Sequence, residues 1–279
     1  MTDPTSLDAT DLSAAIADGR LRAETVMTAY LDRIEALNPG LNAIVSLRPR
    51  DELLAEARRA DTTPRRGWLH GMPVAIKDLA AVKGIRTTWG SPIFADHVPQ
   101  EDDVVVARMR AAGAIFIGKT NTPEWGLGSH TFNEVFGVTR NPYDPARTAG
   151  GSSGGAAAAL AARLLPVADG SDMMGSLRNP AAFCNVYGFR PSWGLVPGEP
   201  QGDGFMATMA TLGPMGRSPR DLAQLLSVMA GPHPAVPLGR EMRDDDDALT
   251  KPEAFIILNE PGDAGDALSD ALLEHCKSG

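Results

Sequence analysis

Cysteine is scarce in this chain: among 279 residues only Cys184 and Cys276 carry a thiol, and they lie far apart. Such a pair excludes a disulfide framework or a thiolate-ligated metal, and both read as reduced thiols of a reducing compartment. The five histidines, His70, His97, His130, His233 and His275, offer no pair at metal-ligand spacing and no Ser-His-Asp context. Positive charge is in deficit, the net charge being −9, which argues against nucleic acid or an anionic membrane as partner. The Ala/Leu-rich run over 156–165 is too short to span a bilayer and reads as a buried helix. Met1-Thr2-Asp3-Pro4-Thr5 is polar and lacks the basic segment of a secretory signal. Asp244-Asp245-Asp246-Asp247, the one dense run of charge, has no ordered ligand spacing around it and reads as a solvated loop. These absences predict a soluble cytoplasmic protein without metal.

Hydrophobic residues make up 43% of the chain, enough for a sizeable core. The N-terminal stretch is helical in pattern. Residues 11–17 form a short helix closed by Gly19. Over 24–37, Val26, Tyr30, Ile34 and Leu37 recur at helical spacing, with Met27 and Leu31 widening the stripe. Asn38-Pro39-Gly40 is read as the end of that helix, since proline brings no N–H to the ladder. A strand over 43–47 and an amphipathic helix over 51–60 follow. Residues 73–77 and 114–117 read as strands with a helix over 102–112 between them, an alternation that predicts an α/β fold. The segment 118–126 is turn-rich, and a helix is expected over 154–163. Short strands or turns are expected over 186–189 and 195–196. Ser218 and Pro219 suit the N-cap and first position of a helix ending at Met229. A strand over 254–258 and a helix over 264–275 close the reading.

Three blocks carry chemistry. Gly150-Gly151-Ser152-Ser153-Gly154-Gly155 and Met174-Gly175-Ser176 set serines beside glycines, which leave backbone N–H groups unshielded. An acyl-transfer site needs that combination: a hydroxyl to attack and amides converging where the oxyanion forms. The glycine block taken alone also reads as a flexible linker. A phosphate loop is disfavoured, because no lysine follows the last glycine. The third block is Gly71-Met72-Pro73-Val74-Ala75-Ile76-Lys77-Asp78, whose alternation puts Ala75 and Lys77 on one face and Val74 and Ile76 on the other. Taken alone, Lys77 reads as a strand-end lysine reaching for water. Lys119 is a competing basic residue with a solvent or structural role.

The three blocks resemble the amidase signature family, whose members carry Gly-Gly-Ser-Ser-Gly-Gly, a downstream Gly-Ser/Thr-Asp-x-Gly-Gly-Ser-x-Arg-x-Pro and an upstream strand lysine. The resemblance covers residues 10–231. It implies an α/β fold with a mixed open β-sheet flanked by helices on both faces. One domain over 1–279 is expected, with a helical region over 1–70, a signature core over 71–232 and a divergent tail over 233–279. Members of that family are longer, so the chain reads as C-terminally short; an exposed sheet edge would then favour a homodimer.

The resemblance implies hydrolysis of a small-molecule carboxylic amide through an acyl-serine, without a cofactor. Ser176 would be the nucleophile, Ser152 the relay after a cis peptide bond, and Lys77 the base. Lysine acts as a base only when neutral, so burial must bring its pKa from ~10.4 to about 7–8. Asp78 is expected on the opposite face, away from it. The N–H groups of Met173, Met174, Gly175 and Ser176 would form the oxyanion hole, Gly126 and Ser153 would line the substrate, and Asp172 and Arg178 would support the loop. Met174 departs from the pattern, standing where the first of two glycines is usual, and is expected to crowd the acyl pocket. No Gly-x-Ser-x-Gly elbow surrounds Ser176. Two other readings are the glutamine-hydrolysing subunit of a tRNA-dependent amidotransferase and a truncated, catalytically silent binding or assembly protein.

Overall fold

The structure is a computed structural model that describes residues 3–198, 208–234 and 236. The expected strand 254–258, the helix 264–275, the Asp244–Asp247 run and Cys276 lie outside the described residues. In chain order, helices α1 (Ala9–Ala17) and α2 (Ala23–Leu41) precede a two-residue strand β1 (Ile44–Val45), and α3 (Arg50–Ala60) follows it. Then come β2 (Pro73–Lys77), α4 (Val104–Ala111), β3 (Ile115–Thr120) and a small hairpin of β4 (Phe132–Asn133) and β5 (Gly137–Val138). The remainder is α5 (Gly154–Ala161), β6 (Ala168–Asp172), α6 (Arg178–Phe183), β7 (Tyr187–Gly188), β8 (Thr211–Gly216) and α7 (Pro219–Met229). Among the described residues no helix is long and apolar enough to cross a membrane.

Neither α1 nor α2 has a capping side chain of its own. Each borrows a carboxylate from a distant part of the chain, α1 from within α7 and α2 from the residue that closes α3. Asp221 accepts from the N–H groups of Ala9 (3.1 Å) and Thr10 (2.8 Å), and Asp61 from those of Ala23 (2.6 Å) and Glu24 (3.3 Å). Helix starts leave N–H groups without intrahelical partners, so these contacts fix tertiary packing as well as local structure. Ser218 does cap α7, accepting from the Asp221 N–H, with Pro219 at the first position.

Pro39 does not end α2, which continues to Leu41. In the last turn its missing N–H costs little, since it frees only the exposed carbonyl of Glu35. The terminator is Asn42 at φ 53°, and the Asn38 side chain accepts from the Ala43 (3.0 Å) and Ile44 (2.8 Å) amides. β3 also outruns its expected end and takes in Gly118, Lys119 and Thr120 in place of a turn.

β2 runs parallel to β3, with β1 antiparallel on the other side of β3. β6, β8 and β7 form a second three-stranded sheet in the order β6-β8-β7, antiparallel throughout. The sheets meet where β2 lies beside β6: the Lys77 N–H donates to the Asp169 carboxylate at 2.9 Å. Strand alternation sorts the core. Val74, Ile76 and Phe116 join one cluster with α1, α4 and α7, while Ala75, Ile115 and Ile117 join another with α3 and α5. Helices therefore cover both faces of a mixed sheet. α5 is buried on every side because its glycines and alanines permit it: a Cβ on Gly155 would stand 2.3 Å from the Asn121 nitrogen.

Candidate active site

Lys77 ends β2 on the face shared with Ala75 and is 1% exposed. Its Nζ meets three hydroxyl oxygens: Ser152 at 2.7 Å, Ser153 at 2.8 Å and Ser171 at 3.0 Å. No carboxylate reaches it among the ion pairs of the described residues. A neutral amine has two N–H donors and one lone pair, so it satisfies three hydroxyls by donating to two and accepting from one. Burial lowers the Lys77 pKa from 10.5 to about 7, against the opposing pull of Asp169 and Asp172.

Each partner arrives by a local rule. Ser152 follows a cis peptide bond from Gly151 and precedes Ser153, the N-cap of α5. Ser171 and Asp169 share one face of β6, so one strand presents a hydroxyl to the amine and a carboxylate to its backbone N–H. Gly150, Ser152 and Gly154 spell Gly-x-Ser-x-Gly, but no strand precedes them, so they form no nucleophile elbow.

Ser176 stands beside this group through its backbone: its carbonyl accepts from the Ser153 N–H at 3.1 Å. Its side chain is half-buried, and its hydroxyl makes no hydrogen bond among the described residues. The Ser176–Ser152 hydrogen bond that a relay role for Ser152 requires is therefore not formed here. Ser176 lies in a loop, where rotation about χ1 alone redirects the hydroxyl.

That loop is held by Asp172, which is fully buried. Its carboxylate accepts from the N–H groups of Gly175 (2.7 Å) and Leu177 (3.1 Å) and from two Arg178 nitrogens (3.0 Å each), with Arg190 Nε at 3.3 Å. Burial pushes this carboxyl up, but Arg178 and the two amides outweigh it and hold its pKa below the usual carboxylate range. Because the Gly175 N–H is spent on Asp172, it is withdrawn from the expected oxyanion hole. The amides of Met173, Met174 and Ser176 donate to nothing among the described residues. Met174 is 78% exposed, and its bulk stands clear of the packed interior. Gly126, at φ 71°, abuts the other side: a Cβ there would meet Leu79 Cδ1 at 2.7 Å and Ser152 Oγ at 3.5 Å.

Asp172→Ala is expected to destabilise the protein by about 2–3 kcal/mol in chemical denaturation. Breaking a buried ion pair costs about 3–5 kcal/mol, and water recovers part of that for Arg178 and Arg190. Their side chains are 25% and 31% exposed.

Reasoning from sequence missed Ser171, Asp169, Arg190 and the depth of Lys119, which is fully buried. Period-two alternation along Asp169-Gly170-Ser171 is the signal that would have found the first two. Among the described residues no three His, Cys, Asp or Glu side chains are grouped to hold a metal ion.

The family profile named Amidase matches residues 25–253. The chain belongs to the amidase family. It is 47% identical over 227 residues to a glutamyl-tRNA(Gln) amidotransferase subunit of Thermus thermophilus, covering 80% of this chain and 46% of that one. It is 43% identical over 239 residues to an acylamidase of Rhodococcus erythropolis, covering 84% of this chain and 50% of that protein. Among amidase structures, 6-aminohexanoate cyclic dimer hydrolase complexed with substrate superposes with a TM-score of 0.81 at 32% identity, over 90% of this chain and 52% of that one. The chain spans about half the length of the curated amidase relatives it matches.

Proposed function

We propose that this amidase-family chain hydrolyses a small-molecule carboxylic amide to acid plus ammonia or amine through an acyl-Ser176 intermediate. The observation that carries the reading is a fully buried amine in contact with three hydroxyls and, among the described residues, in no ion pair with a carboxylate. Lys77, neutral, draws the proton of Ser152, and Ser152 in turn draws that of Ser176 as its hydroxyl attacks the amide carbon. The tetrahedral oxyanion is met by the N–H groups of Met173, Met174 and Ser176. The proton returns by the same route to the leaving nitrogen, and water then releases the acid from Ser176. Gly126 and Ser153 line the site, and Asp172 with Arg178 and Arg190 holds the loop.

A second reading is favoured by the 47% identity to the glutamyl-tRNA(Gln) amidotransferase chain. The same residues would then hydrolyse glutamine, and only alongside partner subunits.

The test is to mix the chain with aryl and aliphatic amides, quench in acid and measure the intact mass. An acyl adduct mapping to Ser176 is expected. The rate of its formation should rise as pH passes through about 7, because below that value Lys77 keeps its proton and is no base. A profile flat down to pH 5 rules out the lysine base. Glutamine turnover that requires partner chains and tRNA assigns the second reading instead, and absence of any adduct would indicate a silent protein.

A further inference from the structure

Lys119 is a second deeply buried amine among the described residues, and the chemistry above does not use it. It pairs in register with Ile76 and projects on the face opposite Lys77. Its Nζ donates to the Ala80 carbonyl and to Thr87 Oγ1 at 3.1 Å, and lies 3.9 Å from the Asp78 carboxylate. All three partners belong to the segment that leaves β2 immediately after Lys77. The sheet thus keeps two chemistries apart: an amine among hydroxyls on one face, an amine with a carboxylate on the other. A buried ion pair is a poor device for stability, since removing both charges from water costs about as much as their attraction returns. What it fixes is geometry.

The contacts lead from that pair back to the site. Asp78 accepts from the Thr88 N–H at 3.1 Å and from Thr88 Oγ1 at 2.5 Å, and Thr88 Oγ1 accepts from the Gly90 N–H at 3.0 Å. Trp89 Nε1 donates to the Leu79 carbonyl at 3.1 Å, and the Trp89 carbonyl accepts from the Trp125 N–H at 2.7 Å. Gly90 lies against the 123–124 backbone, where a Cβ would stand 3.0 Å from Glu124 Cα. Leu79 and Ser152 both pack on Gly126. Lys119 therefore anchors the segment leaving β2 to the end of β3, and through Trp89 and Gly90 that segment seats the one leaving β3, at the C-terminal ends of parallel strands where α/β sheets form their sites.

We propose that the Lys119 ammonium is a positioning group: clamped to Asp78, Ala80 and Thr87, it sets the Trp125–Gly126 backbone against Ser152, and amide turnover depends on its charge. The inference rests on the reading of the site as an amide hydrolase. The ammonium faces Asp78 from the β2 exit, Asp102 and Asp103 from the start of α4, and Asp169 from β6. Burial brings its pKa down to about 8, with Asp78 foremost among the carboxylates opposing the fall. Above that pH the clamp loses its charge.

The wild-type chain is therefore expected to lose kcat/KM on the alkaline side with a midpoint near 8, and its Trp89–Trp125 emission should titrate in the same range. Lys119→Met should lower kcat/KM at neutral pH by about 10–100-fold, the scale of a small misplacement at a reacting centre. It should also abolish both the alkaline limb and the emission titration, which a packing defect would leave in place. Asp78→Asn should act in the same direction, and the double variant should be no worse than the poorer single one. If Lys119→Met fails to fold, Asp78→Asn decides: it keeps the amine but removes the carboxylate foremost in holding its proton, so the alkaline limb and the emission titration should both move to lower pH, and a limb that stays in place overturns the clamp. An unchanged alkaline limb, or kcat/KM within about twofold of wild type, overturns the clamp. Should the wild type cleave no amide at all, the hydrolase reading falls, and the emission titration alone decides the clamp.

Discussion

Ser176→Ala is expected to abolish amide turnover, lowering kcat by about 10⁴–10⁶-fold, the range seen when the nucleophile of an acyl-transfer unit is removed. The loss should appear in kcat with little change in KM, because the hydroxyl contributes to bond-making and hardly to binding. Stability should change by less than about 0.5 kcal/mol, since the side chain is half-buried and its hydroxyl bonds nothing among the described residues. The backbone contact that seats the loop, Ser153 N–H to the Ser176 carbonyl, survives the substitution. Steady-state kinetics on an anilide, paired with denaturant melts, give both numbers. Ser152→Ala is the informative partner. Its Oγ lies 2.7 Å from Lys77 Nζ, so losing it breaks the proton route and leaves a buried amine short of one partner. If Ser176→Ala turned over at more than about 1% of the wild-type rate while Ser152→Ala was dead, the two serines would have to exchange roles.

The signature blocks made the site legible because they are local. The Lys77 strand and the Ser218 cap were each specified by neighbours in sequence, the cis bond before Ser152 only by the family resemblance, and the structure keeps all of them. Alternation along β2 also anticipated that Asp78 turns away from Lys77, and it bonds Thr88 on the far face. The misses share a cause. β8 reads Thr-Leu-Gly-Pro-Met-Gly, a strand that two glycines and a proline disguise. It becomes one because β6 and β7 flank it on both sides. Lys119 looked like a turn lysine because its carboxylate partner lies on the preceding strand exit, joined to it only through sheet register. The Gly175 amide fell out of the expected oxyanion hole for a similar reason. Glycines near the serine were legible as exposed N–H groups, whereas the carboxylate three residues earlier that takes one of them is a matter of loop geometry.

Lys77→Met should stop catalysis and make the protein more stable, with a pH dependence whose sign is fixed in advance. The amine titrates near 7 in the folded chain and near 10.5 when free, so folding disfavours its charged form. Between those values the unfolded chain holds a proton that the folded chain lacks, and wild-type stability rises with pH. Below about 7 both states carry the charge and the folded state bears the whole desolvation cost, about 5 kcal/mol. Methionine, unbranched and of similar length, removes that cost. It also strands the three hydroxyls that met the amine, returning about 1–3 kcal/mol. A net gain of about 2–4 kcal/mol is expected at pH 6, shrinking as pH climbs from 7 toward 10. Denaturant melts of both proteins across that range measure it, alongside a fall in kcat of about 100- to 10,000-fold. A variant less stable than wild type at pH 6, or an advantage that grows with pH, would show that Lys77 is charged and paired in the folded chain. A paired ammonium has no lone pair to accept the proton of Ser152, and the proposed hydrolysis has no other base.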